Sequence, residues 1–302
     1  MLTKQFPKGA VCIESDPNPM KILVPTDFSE ISEYGLQAAR DIALRTEAEI
    51  FLVNYIEPAV ENDFSASGDV STLANIEAEA FIIELTKRNS QRIHDLAQKY
   101  QRDGTTIKPV IEVDYFEDAM DQFIKEKGID LVVMGTSGER SYDELVFGNH
   151  TERIIRVSLA PTLSVRDYAR KFEPKSIVLA LDLVNEGQAG LAYINKFAGY
   201  FDAEVHLLHV TKNKNAEAEA LKKLEEKARQ AGFNRYTVNV VISKDKKNEI
   251  ETFAADKRAD MIGVFTRGRP AVASLFFGSL TQELVKDADI STPVLSIKVG
   301  KK

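Results

Sequence analysis

The stretch GIDLVVMGTSG, residues 128–138, decides the fold, because a short apolar run rich in valine ends abruptly at a glycine. Such a run predicts a strand that is buried on both faces. Gly135 and Gly138 follow the strand, and a third glycine, Gly148, precedes a predicted helix. The pattern RADMIGVFTRG comes back 130 residues later, at 258–268. A strand and a glycine loop that occur twice indicate a duplicated unit rather than an isolated turn.

A second pair of matches extends the repeat over nearly the whole chain. ILVPTD (22–27) matches IVLALD (177–182), and AEIFLVNY (48–55) matches AEVHLLHV (203–210), both at a distance of 155 residues. The change from 155 to 130 places an insertion of about 25 residues in the first copy, around 60–80. We therefore predict a leader over residues 1–20, a first domain over 21–168 and a second domain over 174–302.

Strands alternate with helices in each copy, which predicts right-handed crossovers and a parallel sheet covered by helices. The fold class is α/β, with two tandem doubly wound domains of five parallel strands each. The predicted strands are 21–26, 50–56, 106–113, 129–134, 162–166, 176–181, 204–210, 236–243, 260–264 and 293–298. The predicted helices are the one capped by Ser29 and those over 70–102, 117–127, 149–158, 186–200, 216–231, 247–258 and 279–287.

Composition excludes several classes of protein. The chain has 302 residues, 44% of them hydrophobic, and a formal net charge of -7 without an obvious basic patch, so we expect no nucleic-acid partner. A single cysteine cannot form a disulfide within the chain, and no apolar stretch reaches the ~18 residues of a membrane span. We expect a cytoplasmic protein without a membrane partner.

His206 and His209 lie three apart on a predicted strand and face opposite sides, so we expect no metal site there.

A ligand site is predicted at the carboxyl ends of the first and fourth strands of each copy, where the strand order of a doubly wound sheet reverses. In the first copy Asp27 ends strand one and the glycine loop ends strand four. Glycines let backbone N–H groups approach an anion, and the helix after Gly148 points its positive end there. The same spacing is also compatible with a plain turn and a helix cap, and the residues alone leave the two interpretations open.

PTDFSE (25–30), VVMGTSG (132–138) and the glycine spacing G-x2-G-x9-G resemble the nucleotide-binding branch of the universal stress protein family. The resemblance covers both copies and implies a fold of the adenine nucleotide alpha hydrolase-like, Rossmann-like type. It implies ATP or AMP as ligand, with or without Mg²⁺, and no catalytic residues; slow ATP hydrolysis would follow by family analogy only. In the first copy it assigns ligand binding to Pro25, Thr26, Asp27, Tyr55, Met134, Gly135, Gly138, Gly148, Asn149 and His150.

Both copies depart from the family pattern. Asn149 stands where the pattern has serine or threonine, and Tyr55 stands where a smaller apolar residue is usual, so that it either stacks on adenine or fills its pocket. In the second copy Phe265 replaces the first glycine, where its ring could occupy the crevice. The residues that still match there are Asp182, Val210, Gly268, Gly278 and Ser279. We expect the first copy to be the main nucleotide site.

The resemblance also implies that the last strands of the two domains pair with each other, here residues 162–165 and 294–297, giving an internal pseudo-dimer that dimerises further. We expect a stress-response sensor or regulator with unknown protein partners. The alternatives are a nucleotide-free structural or protein-interaction module of the same fold, which Asn149, Tyr55 and Phe265 favour, and, more weakly, an adenylating enzyme.

Overall fold

Ten strands form one continuous sheet in a computed structural model, which describes residues 19–58, 72–101, 104–136, 154, 158, 160–183, 188–267 and 292–299. The strands are β1 (Lys21–Pro25), β2 (Glu49–Ile56), β3 (Thr106–Val113), β4 (Leu131–Gly135), β5 (Thr162–Val165), β6 (Ser176–Ala180), β7 (Glu204–Thr211), β8 (Tyr236–Ile242), β9 (Met261–Arg267) and β10 (Val294–Val299). Their order across the sheet is β3-β2-β1-β4-β5-β10-β9-β6-β7-β8.

Six α-helices connect these strands in the described part of the chain. They are α1 (Glu30–Thr46), α2 (Thr72–Tyr100), α3 (Phe116–Lys127), α4 (Gln188–Phe201), α5 (Glu217–Ala231) and α6 (Lys246–Asp256), and a short 3₁₀ helix covers Lys214–Ala216. The bounds predicted from the pattern of apolar residues agree with these elements to within about three residues. The helices predicted over 149–158 and 279–287 lie outside the described residues, apart from Ile154 and Ser158.

Each half of the sheet is the doubly wound arrangement predicted from the repeat. In the first half β1 pairs in parallel with both β2 and β4, and in the second half β6 pairs in parallel with both β7 and β9. The strand order therefore reverses beside β1 and beside β6. In doubly wound sheets, ligands bind beyond the carboxyl ends of the strands at such a reversal. The buried pattern of β1 and β4 fits strands that are covered by helices on both faces.

The two halves join through their last strands. β5 and β10 run antiparallel, with Leu163 opposite Leu295 at the centre of the pairing and Val294 opposite Ser164. This is the internal pairing that the family resemblance implied. Since all other neighbouring strands are parallel, the carboxyl ends of the first five strands and those of the second five lie at opposite edges of the sheet.

The segment between the halves is fixed by a buried carboxylate. Asp41 on α1 is 2% exposed, and it accepts hydrogen bonds from the Tyr168 hydroxyl and, at 2.7 Å, from the Phe172 backbone N–H. The Phe172 ring then packs edge-on against Phe201 of α4, with 6.1 Å between ring centroids. The linker therefore holds a helix of the first half and a helix of the second half together.

None of the helices in the described part of the chain is long and apolar enough to cross a membrane.

Candidate functional site

Helix α1 approaches strand β4 so closely that only glycine fits at the contact. A Cβ on Gly135 would lie 1.7 Å from the backbone oxygen of Ile31, and a Cβ on Gly35 would lie 2.7 Å from the backbone nitrogen of Gly135. Gly135 does not have a positive φ. Its glycine is therefore explained by the close approach of a helix backbone, which brings the start of α1 over the carboxyl end of β4.

The loop between β1 and α1 contains Asp27, the acidic residue predicted to face the ligand. Asp27 Oδ1 accepts hydrogen bonds from the Ser29 backbone N–H at 3.0 Å and from the Ser29 hydroxyl at 2.6 Å. Ser29 in turn caps α1 by accepting from the Ser32 N–H at 3.1 Å, as predicted. The second oxygen, Asp27 Oδ2, has no hydrogen-bond partner within the described residues. One side of the carboxylate is thus fixed and the other remains an acceptor.

Thr26 holds the same loop from the other side. The Phe28 N–H donates to Thr26 Oγ1 at 3.1 Å, and Thr26 Oγ1 lies 3.0 Å from Ser32 Oγ. Because the Ser32 hydroxyl already donates to the Ser29 carbonyl, the Thr26 hydroxyl is the donor to Ser32. These bonds hold Phe28 in the left-handed region, at φ 66°. A non-glycine residue there stores strain, which is found most often at functional sites.

Two buried asparagines complete this network, and neither was predicted from the sequence. Asn54 Nδ2 donates to the Thr26 carbonyl at 2.8 Å, and Asn89 Nδ2 on α2 donates to Asn54 Oδ1 at 2.9 Å. Asn54 is 6% exposed and Asn89 is 7% exposed. Asn54 could have been noticed, because it is the single amide in the apolar strand EIFLVNYI. Asn89 gives no such signal, since it lies in a polar run of a long helix.

Tyr55 fills space beneath the carboxyl end of β2. Its ring packs edge-on against Phe116 of α3, with 4.9 Å between centroids, and its buried hydroxyl has no hydrogen-bond partner among the residues that the structure describes. Burial, with a smaller contribution from the Glu112 carboxylate, raises the pKa of the Tyr55 hydroxyl well above its ordinary range. Met134, predicted at the end of β4, is 5% exposed and belongs to the same apolar cluster.

The other predicted residues of the first site, Gly138, Gly148, Asn149 and His150, lie outside the described residues. Gly268, Gly278 and Ser279 of the second site also lie outside them.

The second copy keeps the backbone frame of the site but not its polar network. The Leu181 N–H donates to the Leu208 carbonyl at 2.8 Å, as the Thr26 N–H does to the Val53 carbonyl. Leu181 has no hydroxyl, however, and the residue that corresponds to Phe28, Leu183, does not have a positive φ.

His209 occupies the position of Asn54 in the second copy and makes the same bond. Its Nδ1 lies 2.8 Å from the Leu181 carbonyl, and since a carbonyl only accepts, Nδ1 carries the hydrogen. His206 faces the other way and bonds Thr237 Oγ1 at 2.9 Å, so the two imidazoles do not converge. Among the described residues no group of three His, Cys, Asp or Glu side chains is placed to hold a metal ion.

Phe265 replaces Gly135 in the second copy, and its ring is buried against helix α4. It is 4% exposed, and a Cβ added to Gly190 would lie 2.3 Å from Phe265 Cε1. The ring thus lies in the space between strand β9 and α4, where the first copy has a glycine-to-helix contact. Phe265 does not have a positive φ. Val210, also predicted for this site, is 5% exposed and packs in the core.

The fold defines a class of protein: two doubly wound α/β domains in tandem, joined through their last strands. In each domain the strand order reverses once, and the candidate site lies at the carboxyl ends of the strands beside that reversal. The universal stress protein family model matches residues 19–166 and 173–298, and the chain belongs to that family as a tandem member.

The similar proteins include some of about half the length of this chain and some of about its full length. A universal stress protein of Methanocaldococcus jannaschii is 28% identical over 153 residues, which are 48% of this chain and 94% of that protein. The solved structure of a universal stress protein from Archaeoglobus fulgidus DSM 4304 has a TM-score of 0.70 and 19% identity, and the match covers 93% of this chain and 98% of that one. Another solved universal stress protein from Archaeoglobus fulgidus, in complex with dAMP, has a TM-score of 0.32 and 18% identity, and covers 41% of this chain and 97% of that one.

Proposed function

We propose that the chain binds an adenine nucleotide, ATP or AMP, in its first domain and acts as a stress-response sensor or regulator. The observation that carries the proposal is the Asp27 carboxylate, which is fixed on one side by Ser29 and has its second oxygen without a partner in the described residues. It stands at the strand reversal of a doubly wound sheet, where ligands of this fold bind. A carboxylate accepts from a base or a sugar and repels phosphate, so it would select the nucleoside end of the ligand.

The remaining roles follow the family pattern. Pro25 and Thr26 would form the wall beside Asp27, and Met134 and Gly135 the wall at the end of β4. Gly138, Gly148, Asn149 and His150 would surround the phosphates, with Mg²⁺ accompanying ATP. Tyr55 would lie beneath the base rather than on it, since its ring already packs against Phe116.

The second domain is proposed as the weaker site, or as a site for a different ligand. Its loop lacks the Thr26 hydroxyl and the left-handed residue that fix Asp27 in the first domain. Asp182, Val210, Gly268, Gly278 and Ser279 would be its contacts. The domains would extend over 21–168 and 174–302 behind a leader, in a cytoplasmic protein that forms homodimers.

A non-catalytic role is proposed because the family resemblance implies a ligand-binding site without catalytic residues. The rival proposal is a nucleotide-free interaction module. Its contacts would be made through α2, on which Phe81 and Ile83 are 62% and 49% exposed.

The test begins with protein purified under native conditions and then denatured, so that released nucleotides can be identified. Calorimetry with ATP, AMP and dAMP, with and without Mg²⁺, then measures affinity. Asp27→Asn and Asp182→Asn form a matched pair, as do Gly138→Val and Gly268→Val. We expect the first-domain variant of each pair to lose binding and the second-domain variant to retain most of it. Absence of binding at millimolar ligand refutes the proposal, and equal losses within the pairs refute the ranking of the domains.

A further inference from the structure

Helix α2 is linked to the Asp27 loop by two contacts, which start from residues less than one helical turn apart. At the first point Asn89 donates to Asn54, which donates to the carbonyl of Thr26. At the second point the Arg92 guanidinium lies over the Phe28 ring, 4.2 Å from its centroid. The two contacts hold the residues on either side of Asp27.

The first contact is a buried chain of hydrogen bonds with a defined direction. Asn54 accepts from α2 and donates to β1, so its two amide atoms are both used, and Thr26 relays the constraint through its hydroxyl to Ser32 and to the Phe28 N–H. Ser29 closes the path by donating to Asp27 Oδ1. Polar networks buried in this way fix geometry as well as stability, because each member has few alternative partners.

The second contact supports the strained residue of the loop. Phe28 has φ 66°, a conformation that side chains other than glycine adopt only when their surroundings hold them there. Its ring packs against the core cluster on one side and Arg92 covers it on the other. In the described residues Arg92 has no carboxylate partner, so the aromatic face is its contact.

The second domain provides an internal comparison for the helix contact and for the left-handed loop residue. His209 keeps the bond to the strand-end carbonyl, but no α5 side chain hydrogen bonds to His209 within the described residues. Helix α5 has 15 residues where α2 has 29, and Leu183 is not left-handed. The hydrogen bond from the helix and the left-handed loop residue therefore occur together in the first domain, and neither occurs among the described residues of the second.

We propose that Asn89 and Arg92 are positioning residues for the first crevice: through Asn54, Thr26 and Phe28 they fix the Asp27 carboxylate and so set its affinity for the nucleoside end of an adenine nucleotide. This rests on the proposed function for its ligand, but not for the loop geometry. With these roles, a contact that shifts the amino-terminal half of α2 would change the geometry of the site through this helix. That half carries the exposed Phe81 and Ile83 and begins within the insertion of the first copy.

The loop geometry is tested first, without ligand, by amide hydrogen exchange of residues 26–33 in the full chain. Asn89→Ala and Arg92→Ala should each speed exchange in this segment. The controls lie on the same helix: Ile93→Val, a buried change of packing, and Arg88→Ala, an exposed arginine one turn before Arg92. If the loop exchanges equally fast in the controls and in the two variants, the positioning role is refuted whether or not nucleotide binds.

Affinity for AMP is measured next by calorimetry, beside the melting temperature. We expect Asn89→Ala to weaken AMP binding by about tenfold, which is the loss of one buried hydrogen bond expressed as affinity. Ile93→Val should lower the melting temperature with little effect on affinity. If affinity falls in proportion to stability in both variants, Asn89 is merely structural. Absence of both AMP and ATP binding in the unmodified chain refutes the proposed function instead and leaves the exchange result standing.

Asn89→Asp adds a readout that packing alone would not give. Burial raises the pKa of a carboxyl group, and a protonated aspartic acid can donate to Asn54 Oδ1 as the amide does. The Kd of Asn89→Asp relative to that of the unmodified chain should be about tenfold at pH 8 and approach one near pH 5.5. Taking the ratio at each pH removes the effects of pH that the variant and the unmodified chain share. A ratio that does not change with pH refutes the hydrogen-bond path.

Discussion

The close approach of α1 to β4 makes Gly135→Ala a sharp test of the packing at the site. The added Cβ would lie 1.7 Å from the Ile31 oxygen and 2.5 Å from the Ile31 carbonyl carbon, where real Cβ atoms essentially never come within 3.0 Å. Helix α1 must therefore retreat by more than an ångström. The obstacle is backbone, so no rotamer change relieves it.

The expected cost lies at the upper end of the range for overpacking, about 3 kcal/mol. A change of that size lowers the melting temperature of a domain of this class by roughly 6–12 °C. Differential scanning calorimetry measures it, with Gly35→Ala, whose Cβ would lie 2.7 Å from the Gly135 nitrogen, as a second variant from the facing side.

Gly199→Ala is the matched control. Nothing lies within 4 Å of a Cβ built on Gly199, which is inside helix α4, so alanine should stabilise by up to about 1 kcal/mol through helix propensity. If Gly135→Ala melts within about 2 °C of the unmodified chain, α1 does not lie where the structure places it and the geometric explanation of this glycine is wrong.

Three further predictions concern other parts of the molecule. Tyr168→Phe removes a hydrogen bond to the buried Asp41 carboxylate and should lower the free energy of unfolding by about 1.5–3 kcal/mol in urea denaturation, and a loss below 0.5 kcal/mol would contradict that bond. Burial lowers the pKa of His206 below its ordinary value of 6.5. The stability that the neutral imidazole contributes is therefore present above pH 6.5 and is lost as the pH falls through the folded-state pKa. His206→Gln should flatten the dependence of stability on pH between pH 7 and 5, and an unchanged slope would contradict this prediction. Gly190→Ala should destabilise by about 1–3 kcal/mol through contact with the Phe265 ring, and by clearly less in a Phe265→Leu background; additive effects would show that the two do not touch.

The sequence predicts the fold well because the signals for it are local and occur twice. Apolar runs, the Ser29 cap and the paired matches at 155 and 130 residues placed the strands and the helices in the described chain, and the pairing of 162–165 with 294–297 follows from the family resemblance. The family membership is confirmed by the two matched segments. Site residues such as Asp27 stay predictions, since nothing yet tests their contact with a ligand.

The parts that sequence reasoning missed depend on contacts between distant segments. Asn89 reaches Asn54 across 35 residues, and neither amide belongs to a recognisable motif. Gly135 was interpreted as a place where an anion approaches, and the structure adds a second reason for glycine there, which is the close backbone of α1. Phe265 was described as able to occupy the crevice, and in the structure its ring lies in the space over Gly190. Such choices are decided by the distance between a helix and a sheet, which no local pattern encodes.

The antiparallel seam between β5 and β10 gives the chain a freedom that a pair of identical subunits lacks. In a symmetric homodimer every substitution appears in both halves, so a change that improves one crevice is forced on the other. Joining the halves in one polypeptide removes that constraint. His209 in place of Asn54 and Phe265 in place of Gly135 are the kind of divergence between the two halves that it permits.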